Sequence, residues 1–436
     1  MPSIGDPGRS GASPVVTPIP MRTRVAALAV HGVNVLSRVS GRGSGTVAGG
    51  RVGLALDPAI IRNLTAGKTV ALVSGTNGKT TTSRLLVAAL GGGHDHSVAW
   101  NDTGANMPAG HVAALVHRPR ARIAVLEVDE SYLDHLLEVT RPEVVILLNL
   151  SRDQLDRVAE VRLLAERWRK AFEGQDGDGP VVVANADDPM VVWAAGPARR
   201  IWWVGAGQVW REDAVGCPAC GGRIAFSADG WACDHCPFAR PVCHGEVLDR
   251  ELVLSDGSRH ALTLGLPGAF NRSNAALVAV ATEALYPGRS FDDALSAMAA
   301  VTNVAGRFAV VVRHGHPVRK LLAKNPAGWT AIFDLLDEVG QPDEPVVLSI
   351  NARAADGTDP SWLWDVPFER LQGRSVVAAG DRCLDLAVRL RYAEVDHQVA
   401  RDPLEALDLA MATAPPGGAL TFLGNYTAFS DLGSRL

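Results

Sequence analysis

The stretch SGTNGKTT, residues 74–81, joins a run of apolar β-branched residues to a helical pattern. Its glycines allow backbone N–H groups to face a phosphate, and the N-terminus of the following helix adds partial positive charge. Lys79 is placed to neutralise the β- and γ-phosphates of a nucleotide, and the Thr80 hydroxyl to bind Mg²⁺. The full Walker spacing has a glycine where Val73 stands, so this is a variant phosphate loop. The alternative is a glycine-rich turn that binds no ligand.

Strands and helices alternate on both sides of this loop. Buried strands are expected at Thr69–Ser74, Ile123–Val128, Val144–Leu148 and Val181–Ala184, and helices at residues 80–90, 162–172 and 274–285. This alternation predicts a mostly parallel sheet with helices on both faces. A second α/β series follows Gly306-Arg307-Phe308, with strands expected at residues 309–313, 345–350, 375–379 and 419–423. We therefore expect a central phosphate-binding domain over residues 21–308 and a smaller Rossmann-like α/β domain over residues 309–436.

The composition is that of a globular protein whose main partner is not nucleic acid. Hydrophobic residues make up 47% and charged residues 20% of the chain, which argues against wholesale disorder. The formal net charge is −5, whereas proteins that bind a nucleic-acid backbone are usually basic. Residues 1–20 are expected to form a mobile tail. The apolar run Val25–Leu36 is interrupted by His31, Gly32 and Asn34, which predicts an amphipathic helix rather than a membrane span, and a cytoplasmic protein.

Four clustered cysteines predict a metal site. They form two Cys-x2-Cys pairs separated by 12 residues, namely Cys217, Cys220, Cys233 and Cys236. Paired thiolates on such turns converge on a tetrahedral Zn²⁺ ion, and four of them leave no open position, so the metal is expected to be structural. A redox pair or a disulfide is the alternative, which a cytoplasmic setting disfavours. We expect a zinc ribbon inserted at about residues 207–247, with Cys243 and His244 as bystanders or competing ligands.

The loop GTNGKT resembles the ATP-binding loop of the Mur ligase superfamily, and further segments match that family in the same order along the chain. They are Leu126–Ser131, Asn149–Arg157, Asn185–Pro189, Gly268–Asn274 and Gly306-Arg307. In the second of these segments, Gln154 replaces the histidine of the family's Asp-His-Leu/Met-Asp motif, which puts a second metal site in doubt. The carbamylated lysine found in many family members has Lys170 as its nearest counterpart.

This resemblance implies an ATP and Mg²⁺ site. Nucleotide binding is implied for Gly75, Thr76, Asn77, Gly78, Lys79, Thr80, Thr81, Asn271 and Arg307. Glu127, at the end of a strand, and Thr80 would hold Mg²⁺, since oxygen donors are the ligands that this hard cation prefers. Lys79 and Glu127 are therefore expected to take part in catalysis, and Asn271 to approach the adenine or the ribose.

Three later segments narrow the resemblance to the MurT family of ligase-like subunits. They are Leu322–Gly328, Ala355–Asp365 and Gly424–Phe429. Only 68 residues precede the first strand, too few for the separate domain that holds UDP-linked substrates in other Mur ligases. The resemblance implies ATP-dependent amidation of the α-carboxyl of D-glutamate in the stem peptide of lipid II, through an acyl phosphate, at the inner face of the cell membrane. Ammonia would come from a GatD-like glutamine amidotransferase in a heterodimer.

The same resemblance gives the segment 355–365 a second role. One of its aspartates is implied to complete the Cys-His pair of the glutaminase partner, with Asp359 as first choice and Asp356 as second. Both aspartates could instead be turn formers. The alternative function for the whole chain is a stand-alone ATP-dependent ligase that joins an amino acid to a carboxylate, of the Mur or folylpolyglutamate type.

Overall fold

The structure is a computed structural model. It describes residues 19–39, 46–91, 97–102, 104–152, 161–175, 177, 179–208, 210–304, 307–341 and 343–436. The tail expected at residues 1–20 lies, except for its last two residues, outside this range.

The first half of the chain builds one large sheet and a small hairpin. Its strands are β1 (Thr69–Ser74), β2 (Val98–Trp100), β3 (Ile123–Val128), β4 (Val144–Leu147), β5 (Val181–Asn185), β6 (Arg200–Gly205), β7 (Ile224–Ser227), β8 (Gly230–Cys233), β9 (Gly245–Leu248), β10 (Glu251–Leu254) and β11 (Arg259–Ala261). The large sheet has the order β11-β10-β9-β6-β5-β4-β1-β3-β2. Neighbours from β2 to β9 are parallel, whereas β9, β10 and β11 run antiparallel.

Helices cover both faces of this sheet, because its strands are apolar on both sides. They are α1 (Met21–Val39), α2 (Thr46–Leu56), α3 (Ile60–Thr65), α4 (Lys79–Ala89), α5 (Pro108–His117), α6 (Leu133–Thr140), α7 (Val161–Glu173), α8 (Pro189–Ala195), α9 (Ala269–Leu285) and α10 (Phe291–Ala299). Leu126 of β3 belongs to the core under α5 to α8, and its neighbour Val125 to the core under α4, α9 and α10. This alternation follows from the two-residue period of a strand.

The second half of the chain builds a six-stranded sheet. Its strands are β12 (Phe308–Arg313), β13 (His316–Leu322), β14 (Val346–Ser349), β15 (Val376–Ala379), β16 (His397–Val399) and β17 (Leu420–Gly424), in the order β12-β13-β17-β14-β15-β16. The first pair is antiparallel and the others are parallel. Its helices are α11 (Pro326–Val339), α12 (Cys383–Tyr392), α13 (Pro403–Thr413) and α14 (Tyr426–Arg435).

The prediction of a mostly parallel, helix-covered sheet in each half is confirmed. Strand β13 is missing from the sequence prediction, because Arg319 and Lys320 interrupt its apolar pattern. The amphipathic helix predicted at Val25–Leu36 is the larger part of α1. No helix in the described ranges has both the length and the apolar composition needed to cross a bilayer.

Candidate functional site

The phosphate loop lies between β1 and α4, and glycine is required at two of its positions. Gly75 has φ of 142° and Gly78 has φ of 90°, a region that other residues rarely adopt. A Cβ at Gly75 would lie 2.8 Å from the Cβ of Leu148, and one at Gly78 would lie 2.9 Å from Oδ1 of Asn274. The loop is thus held against its neighbours at the N-terminus of α4, where anions bind favourably.

The segment after β4 holds the loop in one conformation. The Asn77 N–H donates to Oδ1 of Asn149 at 2.9 Å, and Nδ2 of Asn149 donates to the Asn77 carbonyl at 3.1 Å. The Thr76 N–H donates to the Asn149 carbonyl, and the Thr76 hydroxyl donates to the Ser151 carbonyl and accepts from its N–H, each near 3 Å. Five hydrogen bonds therefore hold the loop against this segment.

Lys79 is buried, with 4% of its surface exposed. Its Nζ donates to the Gly75 and Thr76 carbonyls at 2.6 and 3.2 Å and forms an ion pair with Oε2 of Glu130 at 2.9 Å. Removing one partner of such a buried pair is strongly destabilising. Glu130 has no role in the sequence prediction, although its position two residues after β3 is the signal that could have identified it.

Glu127 lies at the end of β3, beside Val73 of β1, and is 1% exposed. Within the described part of the chain, neither of its carboxylate oxygens nor the Thr80 hydroxyl has a hydrogen-bond partner. Burial raises the pKa of Glu127, and the positive charges of Lys79 and Arg307 together with the nearby Thr80 hydroxyl oppose this shift. Unpaired buried oxygens are costly, and a carboxylate with a threonine hydroxyl is the donor set of a Mg²⁺ site. These residues therefore fit the implied metal.

Two residues that sequence analysis missed fix the backbone of Glu127. Its N–H donates to Oδ1 of Asn101, while Nδ2 of Asn101 and Nε2 of His111 donate to its carbonyl at 2.9 and 2.8 Å. Burial lowers the pKa of His111 to about 4, so the ring is neutral with its proton on Nε2. A single histidine in an apolar helix gives no sequence signal of this role. His111 reaches the Glu127 carbonyl only because α5 packs on the sheet beside β3.

The C-terminal half contributes to the same site through the loop from β13 to α11. Asn325 caps α11 by accepting from the Gly328 N–H at 2.8 Å, and its Nδ2 donates to Oδ1 of Asn77 at 3.2 Å. The positive charge of Lys324 also acts on Glu127. Lys79, Arg307 and Lys324 therefore bring three cations to two buried carboxylates, Glu127 and Glu130, an arrangement suited to a polyphosphate.

Asn271 lies in the first turn of α9 and faces a cavity of about 150 Å³ between the two halves of the chain. Its Nδ2 donates to the Pro267 carbonyl at 2.6 Å, while its buried Oδ1 has no partner in the described residues. Gly78, Thr81 and Arg307 line the same cavity. The structure thus brings Asn271 and Arg307 to the phosphate loop.

Other family segments are placed differently. Residues 153–157, with Gln154, and Gly306 lie outside the described residues. Lys170 is exposed on α7 and lines a groove of about 1450 Å³. This groove, which we call the α6–α7 groove, is lined among others by Leu54, Pro108, Ser131, Tyr132, Arg141 and Arg167.

Asp188, in the segment Asn185–Pro189, has a structural role. One carboxylate oxygen caps α8 by accepting from the Met190 and Val191 N–H groups, and the other accepts from the Leu150 N–H at 2.8 Å. Burial nevertheless raises its pKa to about 6. Asp188 therefore connects α8 to Leu150, and the next residue, Ser151, binds Thr76 of the phosphate loop.

The four predicted cysteine ligands come together beside this segment. The Sγ atoms of Cys217, Cys220, Cys233 and Cys236 lie within 4.8 Å of one another, and four sulfurs on a tetrahedral zinc ion are about 3.8 Å apart. The ribbon is anchored by Trp231, which donates to the Ala186 carbonyl at 3.0 Å, and by Arg240, which binds Asp187 at 2.5 Å. The arrangement fits a tetrahedral metal ion.

The two candidate aspartates of the C-terminal domain have different environments. Asp356 is buried and accepts from the N–H and hydroxyl of Thr427 and from the Arg353 N–H. Asp359 is exposed, and one of its oxygens accepts from the Ser361 N–H at 2.8 Å. Asp356 therefore holds α14 in place, whereas the carboxylate of Asp359 remains accessible at a turn.

Comparisons with known proteins relate both halves of the chain to one group of enzymes. The family model described as Mur ligase middle domain matches residues 73–282, and the one described as MurT ligase C-terminal matches residues 322–429. The curated lipid II isoglutaminyl synthase (glutamine-hydrolyzing) subunit MurT of Staphylococcus aureus is 28% identical over 424 residues, which cover 92% of this chain and 94% of the relative.

Two further similarities concern other ligases. The UDP-N-acetylmuramoylalanine–D-glutamate ligase of Salinibacter ruber is 30% identical over 356 residues, covering 80% of this chain and 69% of the relative. The crystal structure of MurF from Acinetobacter baumannii matches with a TM-score of 0.63 at 18% identity, covering 88% of this chain and 80% of that chain. The latter is a likeness of fold.

Proposed function

This chain belongs to the Mur ligase family, with a C-terminal domain of the MurT type, and from that premise we propose that it is the ATP-dependent ligase subunit that amidates lipid II. The observation that carries the proposal is the buried cluster to which both halves of the chain contribute. It combines Glu127, whose oxygens have no hydrogen-bond partner among the residues that the structure describes, with the cations Lys79, Arg307 and Lys324. Such a cluster is built for a nucleotide and a divalent cation.

The proposed nucleotide site uses the residues of the phosphate loop. Backbone N–H groups from Gly75 to Thr81 would face the phosphates, and Asn271 the adenine or ribose. Lys79, held by Glu130, would carry its charge to the β- and γ-phosphates. Thr80 and Glu127 would hold Mg²⁺, which supplies charge neutralisation for phosphoryl transfer.

The proposed chemistry converts a carboxylate into an amide in two balanced steps. A carboxylate oxygen of the substrate attacks the γ-phosphorus of ATP and ADP leaves, which gives an acyl phosphate. The nitrogen of ammonia then attacks the carbonyl carbon, the bond to phosphate breaks, and a proton is lost from nitrogen. The carboxylate is the α-carboxyl of D-glutamate in the stem peptide, and the product is D-isoglutamine. The role of the three cations is to stabilise charge on the transferring group.

We further propose that ammonia comes from a GatD-like glutaminase bound to the C-terminal domain. Asp359 would orient the histidine of the partner's Cys-His pair and stabilise its imidazolium. The burial of Asp356 and its bonds to Thr427 favour this assignment, because a carboxylate engaged inside the fold is not accessible to a second protein. The metal of the ribbon is proposed to be Zn²⁺, with a structural role.

The test of the ligase function is an amidation assay on lipid II with the chain co-expressed with its amidotransferase. We expect a mass change of one amidation only when ATP and glutamine or ammonia are present. Lys79→Met combined with Glu130→Gln, which leaves no unpaired charge at this buried pair, should abolish this product. Lys68→Met, directly before β1, is the matched control and should retain it. Consumption of a free amino acid in place of ammonia would instead identify a stand-alone amino-acid ligase.

The test of the partner role separates the two nitrogen sources. Asp359→Asn should lose most glutamine-dependent amidation, retain amidation with added ammonia, and still bind the partner. Equal loss with both sources would assign Asp359 to ligase chemistry or folding. Full activity with both would leave it a turn residue.

A further inference from the structure

The outer face of α1 carries an apolar stripe that is exposed. Its large members are 54% to 82% exposed, and they are Met21, Val25, Leu28, Leu36 and Val39. Their spacing of three, four, seven or eight residues places them along one side of a helix. The opposite side, with Ala26 and Val30, is fully buried against the central domain. We call the exposed side the α1 face.

The charged side chains of α1 and α2 are all basic, and the acidic residue that follows them, Asp57, is buried. Residues 21–56, which include α1 and α2, contain five arginines and no aspartate or glutamate, although the whole chain has a formal net charge of −5. Arg22 and Arg24 lie on α1 to either side of the stripe and are exposed. An apolar helix face flanked by arginines, without acidic residues, is the pattern of a helix that lies in the interface of an anionic membrane.

The α1 face is fixed to the rest of the protein. The Thr23 hydroxyl donates to Asp57 at 2.5 Å, and Asn63 donates to both of these residues. In α2, a Cβ at Gly50 would lie 1.9 Å from the carbonyl oxygen of Ala109 in α5, so the two helices are in backbone contact. Because its inner side is locked in this way, α1 cannot turn its apolar stripe inward.

We propose that the α1 face docks the protein on the surface of an anionic lipid bilayer. The inference rests on the proposed function in one respect, since docking would bring the protein to a substrate that is anchored in the membrane. The α6–α7 groove is lined by Leu54 of α2 and by Ser131, the residue after Glu130 of the lysine pair. One wall of the groove therefore includes α2, the helix that packs against α1.

The test is co-sedimentation of the full chain with vesicles that contain no lipid II and no ATP. We expect binding to vesicles of phosphatidylglycerol and phosphatidylcholine, weaker binding to pure phosphatidylcholine, and release in high salt. Leu28→Glu should weaken binding by about tenfold, and Arg24→Gln by about fivefold. Leu384→Glu is the matched control, because Leu384 is 71% exposed and Leu28 is 73% exposed; it should bind as the unchanged chain does.

Three results would overturn the proposal. They are equal binding of Leu28→Glu and the unchanged chain, equal loss in Leu384→Glu, and loss of the amidotransferase partner in Leu28→Glu with vesicle binding intact. The last would make the α1 face a protein interface. Amidation of detergent-dissolved lipid II without vesicle binding would refute the docking and leave the proposed function standing. Vesicle binding without amidation would support the docking and contradict the proposed function.

Discussion

At the residue scale, burial shifts the pKa values of two groups near the proposed site in opposite directions. His111 is fully buried and neutral, and it donates to the Glu127 carbonyl. Asp188 is also fully buried, yet its ionised form accepts three backbone N–H bonds. Desolvation lowers the pKa of the histidine to about 4 and raises that of the aspartate to about 6. The two groups therefore give stability opposite dependences on pH over an overlapping range.

The first prediction isolates His111. Its folded pKa lies below the ordinary value of 6.5, so its contribution is complete above pH 6.5 and is lost as pH falls towards 4, up to about 3 kcal/mol. Asp188 contributes the reverse slope, since stability falls as pH rises from 3.8 to about 6. Subtracting the unfolding free energies of His111→Gln from those of the unchanged chain cancels Asp188, and we expect the difference to shrink on acidification.

The control for His111 is another histidine of the same helix. His117 is exposed at the end of α5, and His117→Gln should leave the measured difference flat. A flat profile for His111→Gln as well would show that His111 is not the source of the pH dependence.

At the element scale, α2 packs close to α5 through its glycines. A Cβ at Gly50 would meet the Ala109 backbone at 1.9 Å, whereas a Cβ at Gly32 of α1 has no atom within 4 Å. The second prediction compares the two alanine substitutions. Gly50→Ala should destabilise the protein by about 2 kcal/mol or more, because backbone must move. Gly32→Ala should stabilise it by up to about 1 kcal/mol through helix propensity. Thermal unfolding measures both, and equal shifts would contradict the close packing of α2.

The four-cysteine ribbon is a second element with a distant effect. It binds the Ala186 carbonyl and Asp187, and the adjoining Asp188 binds the Leu150 N–H. The third prediction is that Cys217→Ser lowers the zinc content and the midpoint of thermal unfolding by at least about 5 °C. Cys243→Ser, which lies outside the cluster, should change neither. A metal-free unchanged chain with normal stability would reject the site.

At the scale of the whole molecule, the two halves meet at the phosphate loop. Asn325 caps α11 with its oxygen and contacts Asn77 with its nitrogen. The fourth prediction is that Asn325→Asp, which keeps the cap but cannot donate, raises the KM for ATP by about tenfold or more. Because Asn325 is fully buried, the new carboxylate should also lower the unfolding midpoint, so the KM is measured well below that midpoint. An unchanged KM would separate Asn325 from the nucleotide site.

Local patterns were sufficient for much of the fold and for part of the site. The phosphate loop, most parallel strands and the cysteine cluster depend on short-range spacing, so the sequence predicts them. Two features of the site depend on which strands become neighbours. They are the hydrogen bonds from Asn101 and His111 to the Glu127 backbone and the positive charge that Lys324 brings to Glu127. The order of the strands is set by packing across the sheet. Glu130 is an intermediate case, since its position was visible but its lysine partner was not.

The N-termini of α4 and α11 face the same loop, together with Lys79, Arg307 and Lys324. These three cations outnumber the two carboxylates between them, Glu127 and Glu130, and the helix ends add to this positive excess. A bound polyphosphate would therefore act as a common counter-ion that holds the two halves together. Because the polyphosphate binds best when the two halves are together, its binding free energy stabilises that arrangement. We expect the chain to unfold as a single cooperative unit when nucleotide is bound and as two weakly coupled units when it is not. The nucleotide that drives the reaction would then also hold the two halves of the enzyme together.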